Sequence, residues 1–238
     1  MMKGRESTMT DETNMNEETV MEKPSIFGMI MNPVIQFKRI KNNPKALVAM
    51  IVVTLFSALG MFMMTQGVDY TQQPGMGAMD ENELMIVTTV ANATVVIIGL
   101  FTPIFSILVS SAIYLAVAKI AHRDVTFKQL FSMNTYIFVI STISMLINGL
   151  AIMLVGGAAD TDTLFTSVNS IVGAEGALGG LLNNIEVFTI WDIIITALGL
   201  QVIAKFSKGL SWGIVLGIFV IMTGFTMLTS GAASMVGA

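Results

Sequence analysis

The stretch LMIVTTVANATVVIIGLFTPIFSILVSSAIYLAVA, from Leu84 to Ala118, runs for thirty-five residues without a charge. Its reading decides the fold. As a single helix it extends about 52 Å at about 1.5 Å per residue, against a bilayer hydrocarbon core of about 30 Å. Either it crosses a membrane twice, turning near Gly99 and Pro103, or only part of it spans. Working outward, four further apolar runs lie at about 46–66, 130–155, 185–204 and 210–230, the third of these interrupted by Glu186 and Asp192.

Charge chooses between the two readings. With one crossing in the long run, five spans put all twelve Lys and Arg residues on one side. Seven lie in the amino-terminal region, three more are Lys119, Arg123 and Lys128, and two are Lys205 and Lys208. The opposite side carries Asp69, Asp80, Glu81 and Glu83 in one loop and Asp160, Asp162 and Glu175 in another, with no base. This positive-inside sorting predicts a cytoplasmic amino terminus and an extracytoplasmic carboxyl terminus. A double crossing would carry Lys119, Arg123 and Lys128 outward. The second span is therefore expected at about 98–119, with residues 81–96 forming a helix along, or projecting from, the outer face.

Composition agrees. Of 238 residues, 54% are hydrophobic and 12% charged, and the mean hydropathy is +0.77. A water-soluble domain carries about 25% charge, so an ordinary soluble enzyme is excluded. The chain has no Cys, which removes disulfides, thiolate metal sites, cysteine nucleophiles and lipidation on Cys. Its single His, His122, cannot build a multi-histidine metal site and reads as solvated. No phosphate-binding Gly-Lys-Ser/Thr loop, zinc-binding His-Glu-x-x-His or Gly-x-Ser-x-Gly elbow is present. The expectation is an all-α membrane protein that is not an enzyme, with no cofactor, metal or nucleic-acid partner.

Residues 1–23 are polar and without hydrophobic period, which predicts a disordered cytoplasmic tail with no cleavable signal. In 24–44, Ser25 is placed to cap a short helix and Asn32-Pro33 to start another. The second sets Val34, Phe37 and Ile40 against Lys38, Arg39 and Lys41, and leads to Lys45. Such an amphipathic segment is expected at the membrane surface, with docking to a cytoplasmic partner as the alternative. Residues 45–238 form the five-span domain. In its third loop, Leu164, Phe165, Val168, Ile171 and Val172 share a helical face that Asp160 or Asp162 is placed to cap, and Gly173, Gly176, Gly179 and Gly180 read as a flexible return.

Within the spans, Asp192 is the one acid well inside, at a depth of about 10 Å by helix rise, with no basic residue in any span to neutralise it. Asn148, at matching depth, is its candidate partner, and Ser106 and Thr223 fall in the same outer layer. Asn183 is read as capping the fourth span, with Glu186 closing the reciprocal bond. Gly209, Gly213, Gly217 and Gly224 make a small-residue face on the last span, for packing inside the bundle or against a second protein. Trp212 suits an interfacial anchor and Trp191 a packed or headgroup position.

Several short motifs occur in order. They are Pro24-Ser-Ile-Phe-Gly-Met-Ile-Met-Asn-Pro33 with Gln36-Phe37-Lys-Arg-Ile40 and Pro44; Thr126-Phe127-Lys128-Gln129-Leu130 with Tyr136; and Glu186-x-Phe188-Thr189-x-Trp191 with Gly199-Leu200 and Ser207-Lys208. In this order the chain resembles the Yip-domain (Ypt/Rab-interacting protein) membrane family in its bacterial form, from Pro24 onward. Glu186 stands where that pattern has Asp. The resemblance implies a five-helix membrane protein. For a bacterial member it implies an accessory or assembly subunit beside the permease and adaptor of an ABC-type exporter that protects against a toxic peptide. Two other readings stand beside this: a proton-linked small-solute transporter using Asp192, and a membrane-organising protein.

Overall fold

A computed structural model describes residues 22–68, 70–72, 76–155 and 164–236. The expected tail, apart from Glu22 and Lys23, and the acids Asp69, Asp160 and Asp162 lie outside the described residues. Ser25 caps α1 (Ile26–Met31), its hydroxyl accepting the Gly28 N–H at 3.2 Å. Asn32 caps α2 (Pro33–Asn42), where Pro33 occupies the first turn and so withholds an N–H that has no partner there anyway. Then follow α3 (Leu47–Thr65), a 3₁₀ turn (Tyr70–Gln72), α4 (Glu81–Ile120), α5 (Phe127–Val155), α6 (Asn169–Val172), α7 (Gly176–Asn184), α8 (Val187–Ile203) and α9 (Lys208–Val236). Among the described residues there is no strand, only an isolated bridge between Ser167 and Glu186. By length and apolarity α3, α4, α5 and α9 are long enough to cross a membrane, while α8 is apolar but only 17 residues long.

The run that opened the question is one unbroken helix. Asp80 accepts the N–H groups of Asn82 and Glu83 at 2.8 and 2.9 Å, and Glu83 accepts the Asp80 N–H at 3.3 Å, a complete capping box. From there α4 continues for 40 residues, about 60 Å, through Gly99 and the buried Pro103 without turning. Helical hydrogen bonding is the only way to satisfy this backbone in lipid, and that favours continuation past the proline. Residues 81–96 are thus the first part of that same helix, as the projecting alternative requires, and not a separate surface helix.

At the centre lies α5, which buries Leu130, Met133, Ile137 and Ile140. Glycines bring its neighbours close. A Cβ on Gly149 would stand 2.6 Å from the Gly60 carbonyl oxygen, and one on Gly99 would stand 2.8 Å from Ala58 Cα. The α3–α5 and α3–α4 crossings therefore depend on missing side chains. The glycines singled out in the last span do not do this: among the described residues nothing lies within 4 Å of a Cβ at Gly209, Gly213, Gly217 or Gly224. Internal packing is thus the wrong assignment for that face.

The reading of α2 also changes. Phe37 and Ile40 are fully buried, and the Phe37 ring fills the hollow left by Gly199 on α8, where a Cβ would stand 3.0 Å from Cζ. Burying a side chain of this size contributes about 1.5–3 kcal/mol, so Phe37 and Ile40 go to protein rather than lipid, while Val34 of the same face stays exposed. Lys41 Nζ donates to the Val202 carbonyl at 3.0 Å, and Arg39 pairs with Glu22 at 2.5 Å. Burial, and then the ammonium of Lys205, hold Lys41 below its usual pKa of 10.5. Of the five residues assigned to membrane or partner contact, Lys38 and Lys45 are exposed.

In the third loop, helix forms only at Asn169–Val172 rather than along Leu164–Val172. The segment expected to be a flexible return is mostly α7, which packs on the far end of α9. A Cβ on Gly180 would stand 3.0 Å from the Thr226 carbonyl oxygen, so this glycine serves close approach rather than flexibility.

Candidate functional site

Polar groups converge where α5, α8 and the loop before α6 meet. Glu186, the residue preceding α8, is 5% exposed, and its carboxylate lies among four neutral donors. Thr166 Oγ1 donates to Oε1 at 2.5 Å, Thr189 Oγ1 donates to Oε2 at 3.2 Å, Ser144 Oγ donates to Oε1, and Asn148 Nδ2 lies 3.3 Å from Oε1. Asn148, fully buried, also ties the loop down. Its Nδ2 donates to Thr166 Oγ1 at 2.8 Å and its Oδ1 accepts the Thr166 N–H at 3.1 Å. Two residues on, Val168 N–H donates to the Ile185 carbonyl at 2.9 Å, so the loop is tied to α5 and to the turn that leads into α8.

Two sequence assignments fail here. Asn183 lies inside α7, its Oδ1 accepting the Ser167 hydroxyl at 3.2 Å, and Glu186 makes no side-chain cap bond to α8. A carboxylate surrounded by hydroxyls and an amide has better partners than the helix end. Asn148 meets Glu186 rather than Asp192. α8 begins at Val187 and runs past α5, so Asp192, six residues beyond Glu186 and about 9 Å further along the axis, has passed the level of Asn148. Ser144 and Thr166 were missed. The Ser144-x-x-x-Asn148 spacing, which places two polar side chains on one face of an apolar helix, was the available signal for the first; nothing local marks Thr166.

Asp192 forms no hydrogen bond among the described residues and lines two cavities instead. One, of about 310 Å³, includes Met61, Met64, Ser144, Glu186 and Thr189. The other, of about 360 Å³, includes Ser106, Ser110, Tyr114, Asn134 and Thr196. Ser141 lines both. Within the second, Asn134 Nδ2 donates to Ser111 Oγ at 2.8 Å. Thr223, placed in the same layer by depth, is buried with its hydroxyl unpartnered. No cluster of three or more His, Cys, Asp or Glu suited to a metal ion occurs among the described residues. His122 is exposed at the end of α4, in the left-handed conformation at φ 54°. Trp191 and Trp212 are both partly buried against the core.

The motif residues themselves form a second junction. Tyr136 Oη donates to the Pro24 carbonyl at 3.0 Å, Gln129 Nε2 donates to the Lys41 carbonyl at 2.8 Å, and Gln36 Oε1 accepts the Ser25 N–H at 2.8 Å. The helical lead-in is thereby locked to α5. The sequence matches the Yip1 domain over residues 27–230. The chain belongs to the Yip1 domain family. It is similar to the membrane protein YknW of Bacillus subtilis (strain 168), at 29% identity over 237 residues, covering 95% of this chain and all of that one. No solved structure matches it. In this Yip1-domain chain, then, the resemblance read from short motifs holds. The motif residues Gln36, Gln129 and Tyr136 act by joining the lead-in helices to the membrane helices. The chain is an all-helical, multi-pass integral membrane protein.

Proposed function

We propose that this Yip1-domain protein is a non-enzymatic accessory or assembly subunit of the plasma membrane. It crosses five times, with α8 as the short fourth span, the amino terminus inside and the carboxyl terminus outside. In this reading residues 1–23 form a cytoplasmic tail, 24–44 a membrane-proximal segment and 45–238 the membrane domain. The observation that carries the reading is the open face of α9, where a Cβ at Gly209, Gly213 or Gly217 would meet nothing within 4 Å among the described residues. A bare glycine face in lipid is suited to close helix approach, and in this reading the approaching helix comes from another protein. The proposed partner is the permease or adaptor of an ABC-type exporter protecting against a toxic peptide, the role that likeness to bacterial members of the family implies. Energy from ATP belongs to that partner, since this chain has no phosphate-binding Gly-Lys-Ser/Thr loop.

The test is a pull-down of the full chain in mild detergent. Recovery of an ABC permease or adaptor, lost in Gly213→Leu and Gly217→Leu chains that retain their unfolding temperature, supports the proposal. Recovery of the chain alone under several detergents refutes it. One observation favours a second reading, transport through the chain itself: Asp192 and Ser141 border both cavities. On that reading Asp192→Asn abolishes solute movement in proteoliposomes, and unchanged movement removes it.

A further inference from the structure

A large groove opens where the lead-in meets the starts of α3 and α5. Its volume is about 990 Å³, at the upper end of the range for ligand pockets. Most of the wall is apolar, with Phe27, Leu47, Val48 and Phe131 along it, and the first three of these are 79%, 74% and 71% exposed. Three lysines complete the lining: Lys23, Lys45 and Lys128. No acid lines the groove, and none of the three ammonium groups has an ion-pair or hydrogen-bond partner among the described residues. This separates them from Arg39 and Lys41 on α2, which the fold has already engaged.

An apolar trough beside three uncompensated cations matches a molecule with one long apolar arm and a compact anionic head. At the end of a membrane bundle where the basic residues gather, that molecule is an acidic glycerophospholipid. We propose that this groove is a specific site for such a lipid, with its phosphate on Lys23, Lys45 and Lys128 and an acyl chain along Phe27, Leu47, Val48 and Phe131. The bound lipid bridges the lead-in to α3 and α5, adding to the packing of Met29, Phe37 and Ile40 and to the hydrogen bonds at Pro24 and Lys41. The site differs from the general attraction of a basic surface for acidic lipid, because it is concave and its apolar part is built from three separate elements.

Native mass spectrometry of the full chain, released from nanodiscs holding equal phosphatidylglycerol and phosphatidylcholine with identical acyl chains, tests the charge. Retained phosphatidylglycerol is expected to exceed phosphatidylcholine several-fold. A Lys45→Gln/Lys128→Gln chain should lose most of that preference, at up to about five-fold per lysine, while Lys45→Arg/Lys128→Arg keeps it. Equal retention of both lipids by the unaltered chain, or the same preference in the glutamine chain, overturns the proposal. Occupancy is tested by Val48→p-benzoylphenylalanine in the full chain within the same nanodiscs. Photocrosslinks to lipid support the site. Crosslinks to residues 1–21 of the same chain, or to a second copy, assign the groove to those occupants and overturn it.

Discussion

Replacing Asn148 with Leu would keep the volume at its site while leaving the Thr166 N–H without its acceptor and withdrawing a donor from the Glu186 cluster. A buried donor left unpaired costs about 1–3 kcal/mol, so Asn148→Leu should lower the unfolding temperature in detergent and speed proteolysis within 164–186. An unchanged temperature and cleavage rate would mean that the loop is held by other contacts. Asp192 presents a contrast at the same scale. It faces cavities rather than hydrogen-bond donors, so Asp192→Asn should leave unfolding almost untouched, whatever it does to transport. Both residues stand out in the sequence as polar positions in apolar runs. Their actual partners were not legible, because equal depth on two helices fixes neither rotation nor where each helix truly begins.

Glycine has opposite meanings in different elements of this molecule. On α5, a Cβ at Gly149 would press on a backbone carbonyl that cannot turn aside, so Gly149→Ala should cost about 1–3 kcal/mol. On α9, Gly213 faces open space, and Gly213→Ala should be neutral or stabilising by up to about 1 kcal/mol through helix propensity alone. Unfolding midpoints of the two variants in one detergent check the pair; equal effects would place both glycines in the same environment. The regular four-residue spacing on α9 draws attention in the sequence, while the contact between Gly60 and Gly149 lies between helices remote in the chain and leaves no local pattern. Propensity misleads in the same way over 173–180. The glycines there suggest a flexible return, yet α7 forms because packing against α9 outweighs the about 1 kcal/mol that each helical glycine costs.

At the scale of the whole molecule, the sorting of charge predicts where each end lies. The chain has no Cys, so single cysteines introduced at Glu81 and Arg123 report cleanly. An impermeant maleimide should label Glu81→Cys in intact cells and Arg123→Cys only after permeabilisation; the reverse pattern would invert the proposed topology. A tag after Ala238 should likewise be reached from outside.

Local chemistry alone determined that this is a helical membrane protein, where α1, α2 and α4 start, and that the long run does not turn at Pro103. Apolar length, capping residues and the transfer cost of charge are properties of neighbouring positions, and the sequence lists neighbours. Tertiary structure decided that Phe37 faces protein, that Glu186 gathers hydroxyls from two other segments, and that the glycines of α9 are the ones left bare. Each of these depends on which helix faces which, and at what rotation. In a chain apolar on almost every side, hydrophobic pattern cannot specify that rotation, so close packing settles it.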